Sequence, residues 1–308
     1  MTKFIIRRFL SLIPTMFIII TASFFIIRFA PGGPFSGEKN LPEQIIQNMM
    51  KKYHMDEPLL QQYFRYFGDI LRGDFGPSLK YTESSVNELM GTTFPNSIVL
   101  GSLSLALAVL MGIGFGIISA LKQNKWQDYL AMSLAVIGIS VPLFVIGPLL
   151  QVYFAMYLKW VPVAGWFGRK GPLTLILPVI TLAFPYFAYI ARLSRASILE
   201  VLRSDYIRTA RAKGLKESVV IVKHVLKGSM LPIVSYLGPA FAGILTGSIV
   251  VEQVFAIPGV GRIFVQSALN RDYPLIMGEV VIYGLILVVM NFIVDIVYGL
   301  LDPRIAYK

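Results

Sequence analysis

Six stretches of this chain are apolar for about twenty residues at a time, and that property decides most of what it can fold into. They are Phe9–Ala30, Ser97–Leu121, Tyr129–Leu158, Leu173–Ala191, Leu231–Val251 and Val280–Leu301. About 20 apolar residues in helical form cross the ~30 Å hydrocarbon layer of a bilayer, where the backbone must satisfy its own hydrogen bonds. The expectation is an all-α polytopic membrane protein with six transmembrane helices. Four blocks carry no charge, the first carries Arg28 near its end, and the last carries Asp295. Arg28 can reach the headgroups, whereas Asp295 lies near the far end and is expected to meet interfacial water or a basic partner. The third block is longer than one crossing needs and contains Pro142 and Pro148, so it is expected to tilt or kink. The first block follows Lys3, Arg7 and Arg8 like a signal peptide but is too long for one, and reads as a retained helix.

Charge orients the bundle. The net charge is +11, which could suggest nucleic acid, but much of the excess lies in short loops between apolar blocks. Lys3, Arg7 and Arg8, then Lys122 and Lys125, the basic loop Arg192–Lys227, and Arg304 with Lys308 fall on one side. The positive-inside rule makes that side cytoplasmic, with both termini on it. Lys159, Arg169 and Lys170 on the opposite side run against the rule. The protein is thus expected in a bacterial cytoplasmic (inner) membrane, divided into residues 1–30 (N-terminal segment and first span), 31–96 (extracytoplasmic segment) and 97–308 (core of five spans, with a coupling loop at 194–230).

Several chemistries are disfavoured. The chain has no cysteine, and its two histidines, His54 and His224, are expected on opposite sides of the membrane. Neither Gly-Lys-Ser nor Gly-Lys-Thr occurs, so no P-loop can be built. The spans hold no Ser/His, paired-acid or metal constellation, and no acid pair of the kind a proton-coupled carrier would use. No catalytic residue, metal or cofactor is expected. Gly112 with Gly116, and Gly243 with Gly247, are spaced for close helix approach rather than for a nucleotide loop.

Two regions outside the spans are patterned. In 31–96, Leu41-Pro42-Glu43 and Asp56-Glu57-Pro58 each open a helix-like run, and Gly73–Ser78 reads as a turn cluster, predicting a small cap packed on the bundle. In the basic loop, Ser204-Asp205 offers an N-cap, Tyr206–Lys213 a helix of about two turns, and Gly214 a left-handed stop. Its side chains are small (Thr209, Ala210, Ala212) or basic (Arg208, Arg211, Lys213), which suits insertion into a groove of another protein with acids at its rim. A topogenic loop would need only the charge.

Arg208-Thr209-Ala210-Arg211-Ala212-Lys213-Gly214 resembles the EAA loop of binding-protein-dependent ABC importer permeases, with Arg208 and Thr209 where the general pattern has glutamate and alanine. Arg28-Phe29-Ala30-Pro31-Gly32, Asp56-Glu57-Pro58-Leu59, Gly73–Ser78, Thr246-Gly247-Ser248, Ile257-Pro258-Gly259-Val260-Gly261, Leu269–Tyr273 and Asp302-Pro303-Arg304 are similar to the B-type permeases of dipeptide, oligopeptide and nickel importers, the oligopeptide branch above all. The resemblance implies the type I ABC importer permease fold and one half of a translocation pathway. It also implies separate partners: a second homologous permease, two ATPase subunits and an extracytoplasmic peptide-binding protein. Under it, Tyr206, Arg208, Thr209, Ala210, Ala212, Lys213 and Gly214 couple to the ATPase. We also expect Glu252 and the turn residues Pro258, Gly259 and Gly261 to shape an outer gate, with the blander reading that Glu252 and Glu279 are solvated helix ends. Peptide is the expected cargo; dipeptides or nickel, or a secondary transporter without ATPases, are the alternatives.

Overall fold

A computed structural model describes residues 2–31, 33, 43–81, 83–167 and 171–301. Leu41, Pro42, Arg169, Lys170 and everything from Asp302 onward, including Arg304 and Lys308, lie outside these residues. Among the described residues, twelve α-helices carry the fold and no strand is found. Helix α1 is Thr2–Phe29; α2 (Glu43–Lys52) and α3 (Leu59–Leu71) form the cap; α4 is Val86–Leu121. Then come α5 (Trp126–Ser140), α6 (Leu143–Leu150), α7 (Ile176–Leu202), α8 (Asp205–Ala212), α9 (Glu217–Val219), α10 (Leu226–Val254), α11 (Val260–Asn270) and α12 (Tyr273–Leu301).

Among the described residues, five helices are long and apolar enough to cross a membrane alone. The third expected span departs furthest from a straight crossing: α5 and the Leu143–Tyr157 segment meet at a 112° bend. Pro142 explains the break, because its ring drives the preceding residue out of helical conformation; Val141 is extended, at φ −91° and ψ 122°. The segment still joins the two faces of the bundle. Asp128 near its start is bonded to Arg195 at the end of α7, and Gln151 near its far end donates to the carbonyl of Val254 at the end of α10 (3.0 Å). Counted as one crossing, it brings the total to six.

The helices overrun the expected spans. Helix α4 begins at Val86 rather than Ser97, with Ser85 and Glu88 forming a reciprocal capping box. Helix α7 continues past Ala191 to Leu202, so much of the basic "loop" is helix. At one end of the bundle, Arg8 of α1 pairs with Asp295 of α12 at 3.3 Å, supplying the basic partner expected for that acid. At the other end, Arg28 lies over the ring of Tyr273 at 5.7 Å. Arg8 and Arg28 are ~30 Å apart along the helix at 1.5 Å per residue, the thickness of a bilayer core.

The core centres on α4 against α7, where glycine spacing matters. A methyl at Gly116 would overlap Ser194 and press on the backbone of Ala191 (3.0 Å) and Arg195 (3.1 Å), and one at Gly112 would strike Ile190. At Gly114 a methyl would meet nothing within 4 Å. Gly116→Ala is therefore expected to destabilise by ~1–3 kcal/mol, and Gly114→Ala to be neutral or to gain up to ~1 kcal/mol of helix propensity. Thermal unfolding of the two variants in one detergent would separate them; equal melting points would refute close packing at Gly116. Gly243 differs, since it faces the hydroxyl of Tyr186 rather than a helix backbone.

The cap packs on the bundle as expected. Tyr63 and Leu79 are buried with Phe24, Tyr273 and Met277, and the Tyr63 and Thr21 hydroxyls lie 2.8 Å apart. The Gly73–Ser78 turn is real: Gly73 and Gly76 both have positive φ, and Asn87 clasps the turn through Phe75 N (2.9 Å) and Gly73 O (2.6 Å).

Candidate functional site

Two constellations, on opposite faces of the bundle, collect the candidate residues. On the first face lies α8. Ser204 takes the extended N-cap conformation, but its hydroxyl donates to Val201 O (2.6 Å) and leaves the helix amides uncapped. Gly214 ends the segment in the left-handed region at φ +75°, which only glycine adopts cheaply, and its N–H donates to Arg211 O (2.9 Å).

Ile207 and Ala210 point inward, buried among Ala120, Ile198, Val220 and Val225 at the ends of α4 and α7 and the start of the following helix. Ala210 is therefore small so that α8 can lie close on its own chain, and its side chain is not on the outer surface. Tyr206, Arg208, Thr209, Ala212, Lys213 and Gly214 are exposed. Arg211 grips Glu217 through Nε (3.1 Å) and Nη2 (2.6 Å), tying α8 to α9. From α9 a π-helical stretch, Val220–Val225, runs straight into α10. Each end of α8 is thus continuous with, or bonded to, a membrane-crossing helix.

Beneath α8 sits a buried ion pair that sequence reading missed. Asp128, 3% exposed, accepts from Arg195 Nε at 2.7 Å and Nη2 at 2.8 Å, from the Ser119 hydroxyl, and from Asn124 N at 2.9 Å. Arg195 had been counted only as a topogenic charge. The pair locks the α4–α5 turn to α7, one helical turn before the Ile198 that supports α8.

On the opposite face, the turn after α10 is bound on every side. Glu252 is fully buried: its Oε1 accepts from the hydroxyls of Ser97 and Ser248 (2.7 Å each) and its Oε2 from Arg262 N (3.2 Å). Ser97 in turn accepts from Val260 N (2.9 Å), Asn96 donates to Pro258 O (2.8 Å), and Gly165 N donates to Phe255 O (2.9 Å). Ala256 sits at φ +53° to make the reversal. Gly259 and Gly261 both abut Glu252, leaving no room for a side chain at either position.

The solvated-end reading of Glu252 and Glu279 is therefore corrected. Both are fully buried: Ser97 of α4 and Ser248 of α10 itself supply donors to Glu252 in place of water, whereas Glu279 accepts from Ser267 at 3.2 Å through Oε2 and its Oε1 has no partner among the described residues. Asp272, also buried, holds the cap to the α11–α12 corner by accepting from the Ser78 hydroxyl and from Leu79 N (3.2 Å). Tyr81 adds a bond to Gln266 of α11 (3.0 Å). Ser248 and Glu252, four apart on one helix face, were a legible hint of this network; nothing in the sequence pattern pointed from Ser78 to Asp272.

A helical bundle of five long apolar helices and one bent pair, with a short amphipathic helix strapped across one face and a clamped turn on the other, is the architecture of a multi-pass membrane protein. Two family models match in tandem: the N-terminal membrane component of binding-protein-dependent transport systems over residues 1–101, and the binding-protein-dependent transport system inner membrane component over residues 112–307. The chain belongs to this family of binding-protein-dependent transport system inner membrane components. It is 49% identical to the oligopeptide transport system permease protein OppB of Escherichia coli K12 and 48% identical to that of Haemophilus influenzae, over 100% of each chain. It is 46% identical to the dipeptide transport system permease protein DppB of Bacillus subtilis, over 99% of this chain and 98% of that one. Among solved structures, the inward-facing MetNI methionine ABC transporter matches with a TM-score of 0.56 at 15% identity, covering 70% of this chain and 96% of that one. An amino acid ABC transporter with histidines matches at 0.52 and 21%, covering 68% and 92%. These two establish the fold alone. The chain is a permease, a transport subunit and not an enzyme.

Proposed function

We propose that this chain is the B-type permease of an ATP-driven peptide importer, pairing with a second, related permease around a central passage. Two ATPase chains dock on the α8 face, which is cytoplasmic, and an extracytoplasmic peptide-binding protein delivers cargo to the α11 face. The observation that carries the reading is α8 itself: a two-turn helix with one buried side, one exposed side, and both ends fastened to crossing helices. Such an element moves only with the bundle, so closure of an ATPase pair gripping it would drive a rigid-body switch between two arrangements of the passage. Peptide as cargo is supported by full-length likeness to oligopeptide and dipeptide permeases. Under this reading the docking surface is Tyr206, Arg208, Thr209, Ala212, Lys213 and Gly214, Ala210 serves it from beneath, and Glu252, Pro258, Gly259 and Gly261 form the outer gate.

The test is co-purification from detergent. Wild type should bring down ATPase chains and a second permease, whereas an Arg208→Glu, Ala212→Glu variant should lose the ATPases and keep the permease partner. Both substitutions lie on the exposed side of α8, so the chain's own packing is spared; Ala210→Glu would instead bury a charge in its own core. A wild-type chain that purifies alone, or a variant that retains its ATPases, would overturn the assignment.

A further inference from the structure

We infer that Tyr186, Tyr189 and Tyr236 form a contact site for the main chain of the transported peptide in the α8-side half of the membrane, an inference that rests on the peptide-importer reading. These residues line a groove of about 260 Å³ with Ile139, Leu143 and Leu182. Tyr189 and Tyr236 are stacked, with ring centroids 4.2 Å apart. All three lie on α7 and α10 within the apolar spans Leu173–Ala191 and Leu231–Val251, toward the end that carries α8.

Two independent features set this face apart from lipid. None of the three hydroxyls is hydrogen-bonded among the described residues, and a phenol in hydrocarbon without a partner is costly. By contrast, the hydroxyls of Ser97 and Ser248 bond to Glu252, and that of Thr181 bonds to its own helix (2.7 Å). The groove also borders a break in a crossing segment, since Ile139 and Leu143 flank the Val141–Pro142 bend. Irregular backbone at membrane depth persists where protein or a water-filled cavity covers it.

The lining also indicates what the groove accepts. It contains no charged side chain, so it does not select for charged termini or charged residues. Flat aromatic faces and hydroxyls that both donate and accept suit peptide N–H and C=O groups, which every peptide carries whatever its sequence. The volume is below the range of a complete small-molecule pocket, consistent with a second wall supplied by the partner permease.

The chain has no cysteine, so single-cysteine variants report cleanly. Tyr189→Cys and Tyr236→Cys would be made in the full complex with its permease partner, ATPases and binding protein, reconstituted in vesicles with Leu110→Cys as control. Leu110 is 74% exposed on α4 and does not line the groove. Thiol reagents react with the thiolate, which forms in water and not in lipid. Modification by a water-soluble maleimide should be at least about tenfold faster at 189 and 236 than at 110, and slowed severalfold by tripeptides of unrelated sequence while ATP is turned over. Either position suffices if the other variant fails to assemble. Slow modification at both, or fast modification that no peptide slows, would overturn the site while wild-type vesicles still accumulate peptide. If wild-type vesicles accumulate no peptide, the cargo assignment falls first and this site with it.

Discussion

Replacing Arg195 with alanine is expected to cost ~3–5 kcal/mol of stability, the typical penalty for removing one partner of a buried ion pair. The loss is larger than the pair's own worth, because Asp128 is left behind at 3% exposure with a charge and no cation. The Ser119 hydroxyl and Asn124 N remain, but neither neutralises it. The reverse change should be milder. With Asp128→Ala, the Arg195 side chain, 26% exposed, can turn its guanidinium toward water. The ordering Arg195→Ala worse than Asp128→Ala therefore tests the geometry, and thermal unfolding of the purified chain reads it. Equal melting points for wild type and Arg195→Ala would show that the clamp contributes nothing.

Gly259→Ala should rank next, at ~3 kcal/mol or more from displaced charge-assisted hydrogen bonds. Backbone conformation is not the reason, since Gly259 has φ −100° and ψ 171°, extended values open to any residue. Space is the reason: a methyl there would occupy the position of the Glu252 carboxylate. Moving that carboxylate strips acceptors from Ser97, Ser248 and Arg262 N, all on different helices or at different levels of α10 and α11. A double-mutant cycle isolates the effect, because in a Glu252→Ala background the same methyl should cost less than ~0.5 kcal/mol. Additive costs would mean that the turn is not built around Glu252. In reconstituted vesicles, Gly259→Ala should also lose most peptide uptake if this turn is the outer gate.

How much of this was legible beforehand depended on range. The crossings could be read because each is a contiguous apolar block, and the Val141–Pro142 break because proline acts on its own neighbour. Its 112° angle could not, since tertiary packing sets it. The ends of α8 were readable from Ser204 and Gly214, whereas the direction of Ala210 was not: a small residue permits close approach on whichever side it faces. Glu252 read as solvated, and Asp128 gave no signal at all, for one physical reason. Glu252 finds Ser97 155 positions away, and Asp128 finds Arg195 67 positions away. An acid at the end of an apolar helix looks solvated until the fold brings such donors to it.

The bond from Ser78 to Asp272 and the bond from Tyr81 to Gln266 have a mechanical corollary. The cap and the corner that begins α12 share a joint without slack. Pressure on the cap is passed to α11, whose first residues, Val260 and Arg262, are anchored on Ser97 and Glu252. A protein landing on residues 59–81 would thus load the turn at Gly259 directly, as a hand on a lever loads its fulcrum, and news of its arrival would need no separate messenger.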